Sequence, residues 1–197
     1  KNFELKLKND TPNISLRGTQ TLHKIAPQGN KLAIQDVIVR LEDEDKWVRA
    51  RAAETLGDIA PHGNQVAIHA LVTRLGDEDE HVRYAAEEAL YKIAQDSEIA
   101  IQALLEQLGS HSSYITRSTT AKVLGNIAKG KDKVIKSLVE KLDDEIGYIR
   151  LAVVEALGNT ALQSSTLAIQ ALVAKINDEY EAVRIAATKA LNKIAKG

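Results

Sequence analysis

A single spacing of about 34 residues governs the apolar pattern of this chain of 197 residues. One position, apolar in all but one case, recurs at intervals of 34, 34, 34, 33 and 34 residues: Ile14, Val48, Val82, Thr116, Ile149 and Val183. A leucine follows each of these positions eight residues later: Leu22, Leu56, Leu90, Leu124, Leu157 and Leu191. Self-similarity at a fixed period of this length indicates a repeat protein rather than a fold with a single central core.

Each repeat contains two amphipathic helical patterns. Within residues 79–108, Val82 and Leu90 belong to the first pattern, and Ile101 and Leu108 belong to the second. Both follow the helical period, and a short polar segment separates them. One such helix pair leaves apolar surface on both flanks, so it needs a neighbouring pair. The sequence therefore predicts an all-α fold, a right-handed α-solenoid of stacked antiparallel helix pairs.

The repeat boundaries follow from this alignment. We expect helix pairs at about 11–43, 44–77, 78–110, 111–143 and 144–177, a partial pair at 178–197, and the remnant of a preceding repeat at 1–10. The second helices should begin after N-cap residues, namely Asn30, Asn64, Ser97 and Ser165. Both ends fall inside the repeat pattern, and the first residue is lysine. We therefore expect a segment of a longer protein.

Composition excludes several classes of function. The formal net charge of -1 provides no overall attraction to nucleic acid or anionic membranes. The absence of cysteine excludes disulfides and thiolate metal sites and fits a reducing, cytoplasmic environment. No apolar run reaches the length of about 18 residues that indicates a membrane span. No two histidines lie three or four residues apart, and no catalytic or phosphate-binding motif occurs. We predict no enzymatic activity, no metal and no cofactor.

A charged pattern recurs at the repeat junctions. Four aspartates each precede an arginine by six residues, in the pairs Asp43 and Arg49, Asp77 and Arg83, Asp144 and Arg150, and Asp178 and Arg184. Each aspartate falls near a helix start, where a carboxylate is favoured. We interpret these residues as a structural ladder that maintains the register of the repeats. A row of arginines that binds phosphate is the less favoured alternative.

The combined pattern resembles HEAT repeats, in particular the bacterial subclass named after phycobilisome lyases. The motif residues of one repeat are Asp77, Val82, Arg83, Ala86, Leu90, Ile93, Ala94, Ala100, Ile101, Ala103, Leu104 and Leu108. The resemblance extends from Ile14 to Ala195 and implies the fold. It assigns no active-site residue, because the shared positions are structural.

In HEAT-like arrays the second helices line the concave side, which implies a binding groove. Two columns of second-helix residues should point outward there. The first column is Gln35, His69, Gln102, Lys136 and Gln170; the second is Val39, Thr73, Glu106, Glu140 and Ala174. These columns vary between repeats while the buried columns hardly change, which favours recognition of an extended partner over an inert groove. A further column at the first-helix starts, with Trp47, His81, Ile115 and Tyr148, could supply anchors for a protein partner.

The fourth repeat departs from the pattern. The junction at 109–113 carries one extra residue, and His111 occupies the aspartate position. Residues 109–142 contain seven basic and two acidic residues, whereas 45–108 contains six basic and twelve acidic residues. Neutral drift is one explanation, and a local bend with a basic surface for an acidic partner is the other. We expect looser packing in this repeat.

These patterns predict a non-enzymatic scaffold or sensor segment of a larger bacterial protein, which binds a protein partner through its concave surface. Two alternatives stay open. One is an accessory subunit of a lyase that attaches bilin chromophores, and the other is a nucleic-acid-binding solenoid. The acidic second and third repeats argue against nucleic acid, which would need a continuous basic stripe with stacking aromatic residues.

Overall fold

The computed structural model describes residues 18–19, 27–110 and 112–196. Within these ranges the chain forms ten α-helices, one 3₁₀ segment at Lys175–Asn177, and no strand. The helices are Lys31–Arg40 (α1), Lys46–Ile59 (α2), Gln65–Arg74 (α3), Glu80–Ile93 (α4), Glu98–Gly109 (α5), Tyr114–Ile127 (α6), Asp132–Val139 (α7), Gly147–Thr160 (α8), Thr166–Ala174 (α9) and Glu181–Lys196 (α10). The predicted all-α repeat architecture is confirmed.

The chain divides into two compact units, Lys1–Ala94 and Gln95–Gly197. In the N-terminal unit, the first helices α2 and α4 pack against each other, and the second helices α1 and α3 pack onto them. In the C-terminal unit, α8 packs against both α6 and α10, and the second helices α5, α7 and α9 pack against the first helices. The division falls in the turn of the predicted third repeat. The predicted repeat boundaries stay a prediction.

The apolar columns form the cores of both units. Val48, Leu56, Val82 and Leu90 are fully buried. Ile176, expected at the end of the last second-helix column, is instead 39% exposed. It lies in the 3₁₀ segment, whose tighter winding changes the direction in which its side chain projects. Ile14, Leu22 and Ile25 lie outside the described residues.

Small residues allow close contact between neighbouring first helices. A Cβ atom added to Gly125 would lie 2.6 Å from Ala156 Cα, and one added to Gly57 would lie 2.9 Å from Ala89 Cα. In the same column, a Cβ on Gly158 would lie 2.7 Å from Ala190 Cβ. Glycine at these positions therefore determines how near the first helices of one unit approach each other.

Three of the four predicted N-caps make the expected hydrogen bond. The side chains of Asn30, Asn64 and Ser97 accept from backbone N–H groups in the first turns of α1, α3 and α5. Ser165 occupies the N-cap position of α9, but its side chain makes no capping hydrogen bond.

A backbone hydrogen bond recurs at the turn between the two helices of a pair. Its donor has a positive φ angle: Gly29 at 82°, Gly63 at 73°, Asp96 at 52° and Gly130 at 71°. The N–H groups donate, in the same order, to the carbonyls of Ile59, Ile93, Ile127 and Thr160 at 2.8, 2.7, 2.8 and 2.7 Å. Each acceptor is the last residue of a first helix in the following repeat. The bond therefore satisfies a carbonyl that the helix itself leaves unpaired.

Threonines replace apolar residues in α6 without leaving polar atoms unpaired. Thr116, Thr119 and Thr120 are buried. Thr120 Oγ1 donates to Gln107 Oε1 at 2.8 Å, and Thr119 Oγ1 donates to the Ile115 carbonyl at 2.8 Å. The following helix, α7, has only 8 residues, and its N-cap residue Lys131 makes no side-chain capping bond. His111 lies outside the described residues.

Candidate functional site

Arg49 connects two successive repeat junctions through a buried ion pair. Its Nε and Nη2 atoms donate to the two carboxylate oxygens of Asp77, both at 2.9 Å. Its Nη1 atom donates to the carbonyls of Asp43 and Glu44 at 2.9 and 3.0 Å. The six-residue spacing from aspartate to arginine thus places the guanidinium on the backbone of its own junction, while the carboxylate comes from the next junction. The bidentate geometry raises the pKa of Arg49.

Arg150 repeats this arrangement in the C-terminal unit. Its Nε and Nη2 atoms donate to Asp178 at 3.0 and 2.9 Å, and Nη1 donates to the Asp144 carbonyl at 2.9 Å. Burial opposes ionisation of Asp178, but hydrogen bonds from Arg150 and from the Tyr180 N–H outweigh it. The pKa of Asp178 is therefore lowered. The same contacts raise the pKa of Arg150.

The other arginines of this column are less completely paired. Arg83 and Arg184 each donate through Nη1 to two junction carbonyls, those of Asp77 and Glu78 and those of Asp178 and Glu179. Within the described ranges neither contacts a carboxylate of a following repeat. Arg117 lies 3.7 Å from Asp144, and its buried Nε has no hydrogen-bond partner.

The residues predicted to bind a partner from the second helices all lie at the surface. Every member of the two columns is exposed, from Gln35 and Val39 on α1 to Gln170 and Ala174 on α9. Some contact each other within the C-terminal unit. Gln102 donates to Glu106 at 2.7 Å, and Lys133 donates to Gln102 at 2.6 Å. We call the exposed side of α1, α3, α5, α7 and α9 the second-helix face, considered separately in each unit.

An exposed apolar column on the second-helix face was missed by the sequence analysis. In the N-terminal unit, Leu32 is 78% exposed and Val66 is 62% exposed. The corresponding residues of the C-terminal unit are Ile99 and Leu167, both exposed, with Lys133 between them. Each apolar member immediately precedes a buried alanine and an isoleucine of the core column, so the apolar pattern did not distinguish it from the core. Lys133 was the available signal, because a charge at this position implies exposure.

The edge residues Trp47 and His81 contact each other in the N-terminal unit. Their ring centroids lie 4.9 Å apart, and Lys46 Nζ lies 5.3 Å from the Trp47 ring. Lys46 Nζ also donates to Asp79 at 2.8 Å, and the N–H and ring of His81 both contact Asp79. The hydrogen bond from Lys46 lowers the pKa of Asp79 to about 2, with His81 contributing, against the opposing effect of burial.

In the C-terminal unit the edge contains a pair of tyrosines. Tyr148 and Tyr180 have ring centroids 5.7 Å apart in an edge arrangement. Tyr148 is exposed, and Ile115, expected in the same column, is half-buried. Tyr180 belongs to the neighbouring N-cap column, so the column analysis did not include it. The edge of each unit thus contains one pair of contacting aromatic rings, while Tyr84 and Tyr114 are exposed as well.

The described residues contain neither a cluster of metal-ligating side chains nor a helix that could span a membrane. Within 18–19, 27–110 and 112–196, no group of three or more histidine, aspartate or glutamate side chains is arranged to hold a metal ion. In the same part of the chain, no helix combines the length and apolar character needed to cross a membrane.

Paired helices stacked at a 34-residue period define an α-solenoid repeat protein. A family model of HEAT repeats matches residues 12–91, 34–125 and 101–192. The chain belongs to the HEAT repeat family, which confirms the resemblance found in the sequence. HEAT arrays are typical protein-interaction scaffolds. A search of the curated proteins finds no match.

Solved structures show the same fold. One comes from a study of microtubule plus-end tracking by XMAP215, CLIP-170 and EB1, with a TM-score of 0.68 and 17% identity over 98% of this chain and 90% of that chain. The complex of CpcE and CpcF of phycocyanin lyase from Nostoc sp. has a TM-score of 0.57 and 23% identity over 87% and 68%. A designed armadillo repeat protein in complex with the peptide (KR)4 has a TM-score of 0.51 and 22% identity over 91% of both chains.

Proposed function

We propose that this chain is a non-enzymatic scaffold that binds a protein partner through its second-helix face. The observation that supports this most is the exposed apolar column, with Leu32 and Val66 in the N-terminal unit and Ile99 and Leu167 in the C-terminal unit. An isolated exposed apolar residue needs no explanation, but Leu32 and Val66 repeat at the same position of successive second helices, which favours a binding surface. Beside it lie the variable polar columns, which would provide specificity.

The neighbouring structures support a polypeptide partner. The designed armadillo protein binds a peptide, and CpcE binds CpcF. In this chain, Gln35 and His69 lie beside the apolar column of the N-terminal unit, and Lys136 and Gln170 lie beside that of the C-terminal unit. Amide and imidazole groups next to apolar side chains suit a segment that offers both backbone hydrogen-bonding groups and apolar side chains.

Site-specific photo-crosslinking in the cells that make the protein tests this proposal. A photoreactive amino acid at His69 or Gln170 should give a discrete protein adduct, whereas the same amino acid at Glu88, exposed on a first helix, should not. The variant with Leu32→Asp and Val66→Asp should lose the adduct at His69 while keeping its helical circular dichroism. Equal adducts from His69 and Glu88, or an adduct that survives the double substitution, would contradict the proposal.

An accessory role in bilin attachment is the alternative function, and the likeness to the CpcE–CpcF complex is the observation that favours it. At 23% identity that likeness concerns the fold alone. A linear tetrapyrrole mixed with the protein distinguishes the two functions, because binding in an ordered site changes its visible absorption. We expect no change. Membership in a larger cytoplasmic bacterial protein, and one continuous array over 1–197, remain predictions.

A further inference from the structure

The C-terminal unit has a trough on the side opposite the apolar column, between the first helices α8 and α10. Its volume is about 550 Å³, within the range of protein ligand sites. Leu151 of α8 and Ile185 of α10 lie on its rim, and Ile185 is 48% exposed. Ala182, Ala186 and Ala190 of α10 line its interior. The surface is apolar and recessed, and nothing in the described chain covers Ile185.

Lysines dominate the charge of the trough. Its lining includes Lys122, Lys189 and Lys193 and a single acid, Glu155. Lys193 Nζ donates to the Asn159 side chain at 2.5 Å. Neither Lys189 nor Lys193 pairs with a carboxylate in the described residues, and both are exposed. The trough therefore combines an apolar floor with two cations that no internal anion neutralises.

The same positions in the N-terminal unit are neutralised internally. Glu54 and Asp58 of α2 occupy the positions of Lys189 and Lys193. Arg51 pairs with Glu54 at 2.6 Å, and Lys92 of α4 pairs with Asp58 at 2.7 Å. Helix α10 thus differs from α2, because it carries two lysines without acidic partners at these positions. The feature is specific to α10 and is not shared by every first helix.

We propose that this trough binds an acidic amphipathic helix of a partner protein. The proposal concerns a surface separate from the second-helix face, so it does not depend on the function proposed above. Charge complementarity specifies the occupant: carboxylates facing Lys189 and Lys193, and small or branched apolar side chains facing Ala182, Ala186 and Ala190. Polar contact to the amides of Asn126 and Asn159 would complete the edge of the site.

The spacing of the lysines favours a helix over an extended segment. Lys189 and Lys193 are four residues apart on α10, which separates them by about 6 Å along the axis. Glutamates four residues apart on a helix lying along α10 have the same separation. Both lysines can then be paired at once. In an extended chain, successive side chains point to opposite faces, and those on the same face lie about 7 Å apart. Such a segment would match the lysines and the apolar floor less well than a helix does.

The test uses a fluorescent synthetic peptide of about 18 residues, long enough to form a helix, with glutamates every four residues beside an Ala/Leu face. Its matched control has lysine in place of each glutamate. The glutamate peptide should bind, should shift the amide resonances of Ala182, Ala186 and Ala190, and should bind more weakly as salt rises. Lys189→Glu with Lys193→Glu should weaken binding about tenfold, because attraction becomes repulsion at two exposed sites.

Three variants make the result specific. Lys189→Arg with Lys193→Arg retains both charges and should keep the affinity within about twofold. Lys196→Glu, on the same helix but outside the trough, should have a similarly small effect. Leu32→Asp, which tests the second-helix face, should leave binding unchanged. Equal binding of the glutamate and lysine peptides, or resonance shifts centred on α7 and α9, would overturn the proposal.

Discussion

The two units differ most in how their helices begin. In the N-terminal unit, the N-cap side chains Asn30, Asp45, Asn64 and Asp79 all accept a hydrogen bond from the first turn. In the C-terminal unit, Ser97 and Ser113 do so, but Lys131, Ile146 and Ser165 do not. Apolar columns are nevertheless buried in both units, as at Leu56 and Leu90 and at Leu124 and Leu157, apart from positions near the C-terminal end such as Ile176. The comparison teaches that apolar columns and turn geometry are sufficient for the repeat, whereas capping is an optional addition.

The junctions show a parallel contrast. Arg49 and Arg150 hold the next aspartate with two short hydrogen bonds, while Arg117 lies 3.7 Å from Asp144. The repeat of Arg117 is also the one whose preceding junction carries an extra residue. The same two residue types therefore produce a tight pair only where the surrounding repeat keeps its usual lengths.

Removing the aspartate carboxylate should show the largest difference in stability between the junction of Arg49 and that of Arg117. Asp77→Ala leaves the buried guanidinium of Arg49 without its partner and should lower the free energy of unfolding by about 3 kcal/mol. Asp144→Ala removes the long contact to Arg117 and the hydrogen bond that Asp144 accepts from the Ile146 N–H at 3.0 Å, and should cost only about 1 kcal/mol. Urea unfolding followed by circular dichroism measures both. Because Trp47 is the only tryptophan, its fluorescence reports the N-terminal unit separately. Equal costs would show that the difference in pairing has no energetic meaning.

The contact between first helices can be compared through glycine substitutions. Gly125→Ala places a methyl group 2.6 Å from the Ala156 backbone and should destabilise by about 2 kcal/mol despite the better helix propensity of alanine. Gly57→Ala, at 2.9 Å from Ala89 Cα, should cost less. Gly109→Ala meets nothing within 4 Å and serves as the control. Thermal unfolding of the three variants should rank them in this order, and a stabilised Gly125→Ala would refute the packing argument.

A missing cap can be supplied where the C-terminal unit lacks one. Ile146 is 36% exposed and occupies the position held by Asp45 and Asp79 in the other unit. Ile146→Asp should raise the free energy of unfolding by about 1 kcal/mol, because a carboxylate can accept from the first turn of α8. Ile146→Ala controls for the lost apolar surface. A decrease in stability of Ile146→Asp relative to Ile146→Ala would count against this interpretation of the contrast.

Lowering the pH should weaken the start of α4, because the Asp79 carboxylate titrates. Ile146, which holds the same position at the start of α8, has no ionisable side chain. The pKa of Asp79 is about 2, below the ordinary carboxyl value, so the folded state binds this proton less readily than the unfolded chain. Its contribution to stability is present above about pH 4 and is lost as pH falls through the folded value. Lys46→Met should move the pKa of Asp79 upward in an NMR titration. An unchanged value would show that the Lys46 contact is not formed in solution.

Much of the architecture was predictable because the apolar columns repeat. The two helices of each pair and the caps at Asn30, Asn64 and Ser97 all follow from local spacing. The carboxylate that each arginine binds does not follow from local spacing, because the sequence offers Arg49 an aspartate of its own junction and one of the next. Only the packing of successive repeats decides between Asp43 and Asp77.

The binding surface was predictable in part for a different reason. Columns that include charged residues, such as the one with Lys136, must be exposed. Leu32 and Val66 lie beside buried residues of similar hydrophobicity, so their exposure depends on which side of α1 and α3 faces the core. The trough at Lys189 and Lys193 was also beyond the sequence analysis, because it depends on how closely α8 and α10 approach.

The backbone hydrogen bonds from Gly29, Gly63, Asp96 and Gly130 supply a natural set of local probes. Each amide proton is protected by a carbonyl of the following repeat, so its exchange with solvent deuterium requires that particular pair of repeats to separate. The exchange rates of these four amide protons therefore show which pair of repeats separates most readily. Because the bond involves no side chain, the readout persists through almost any redesign of the surface that retains the turn.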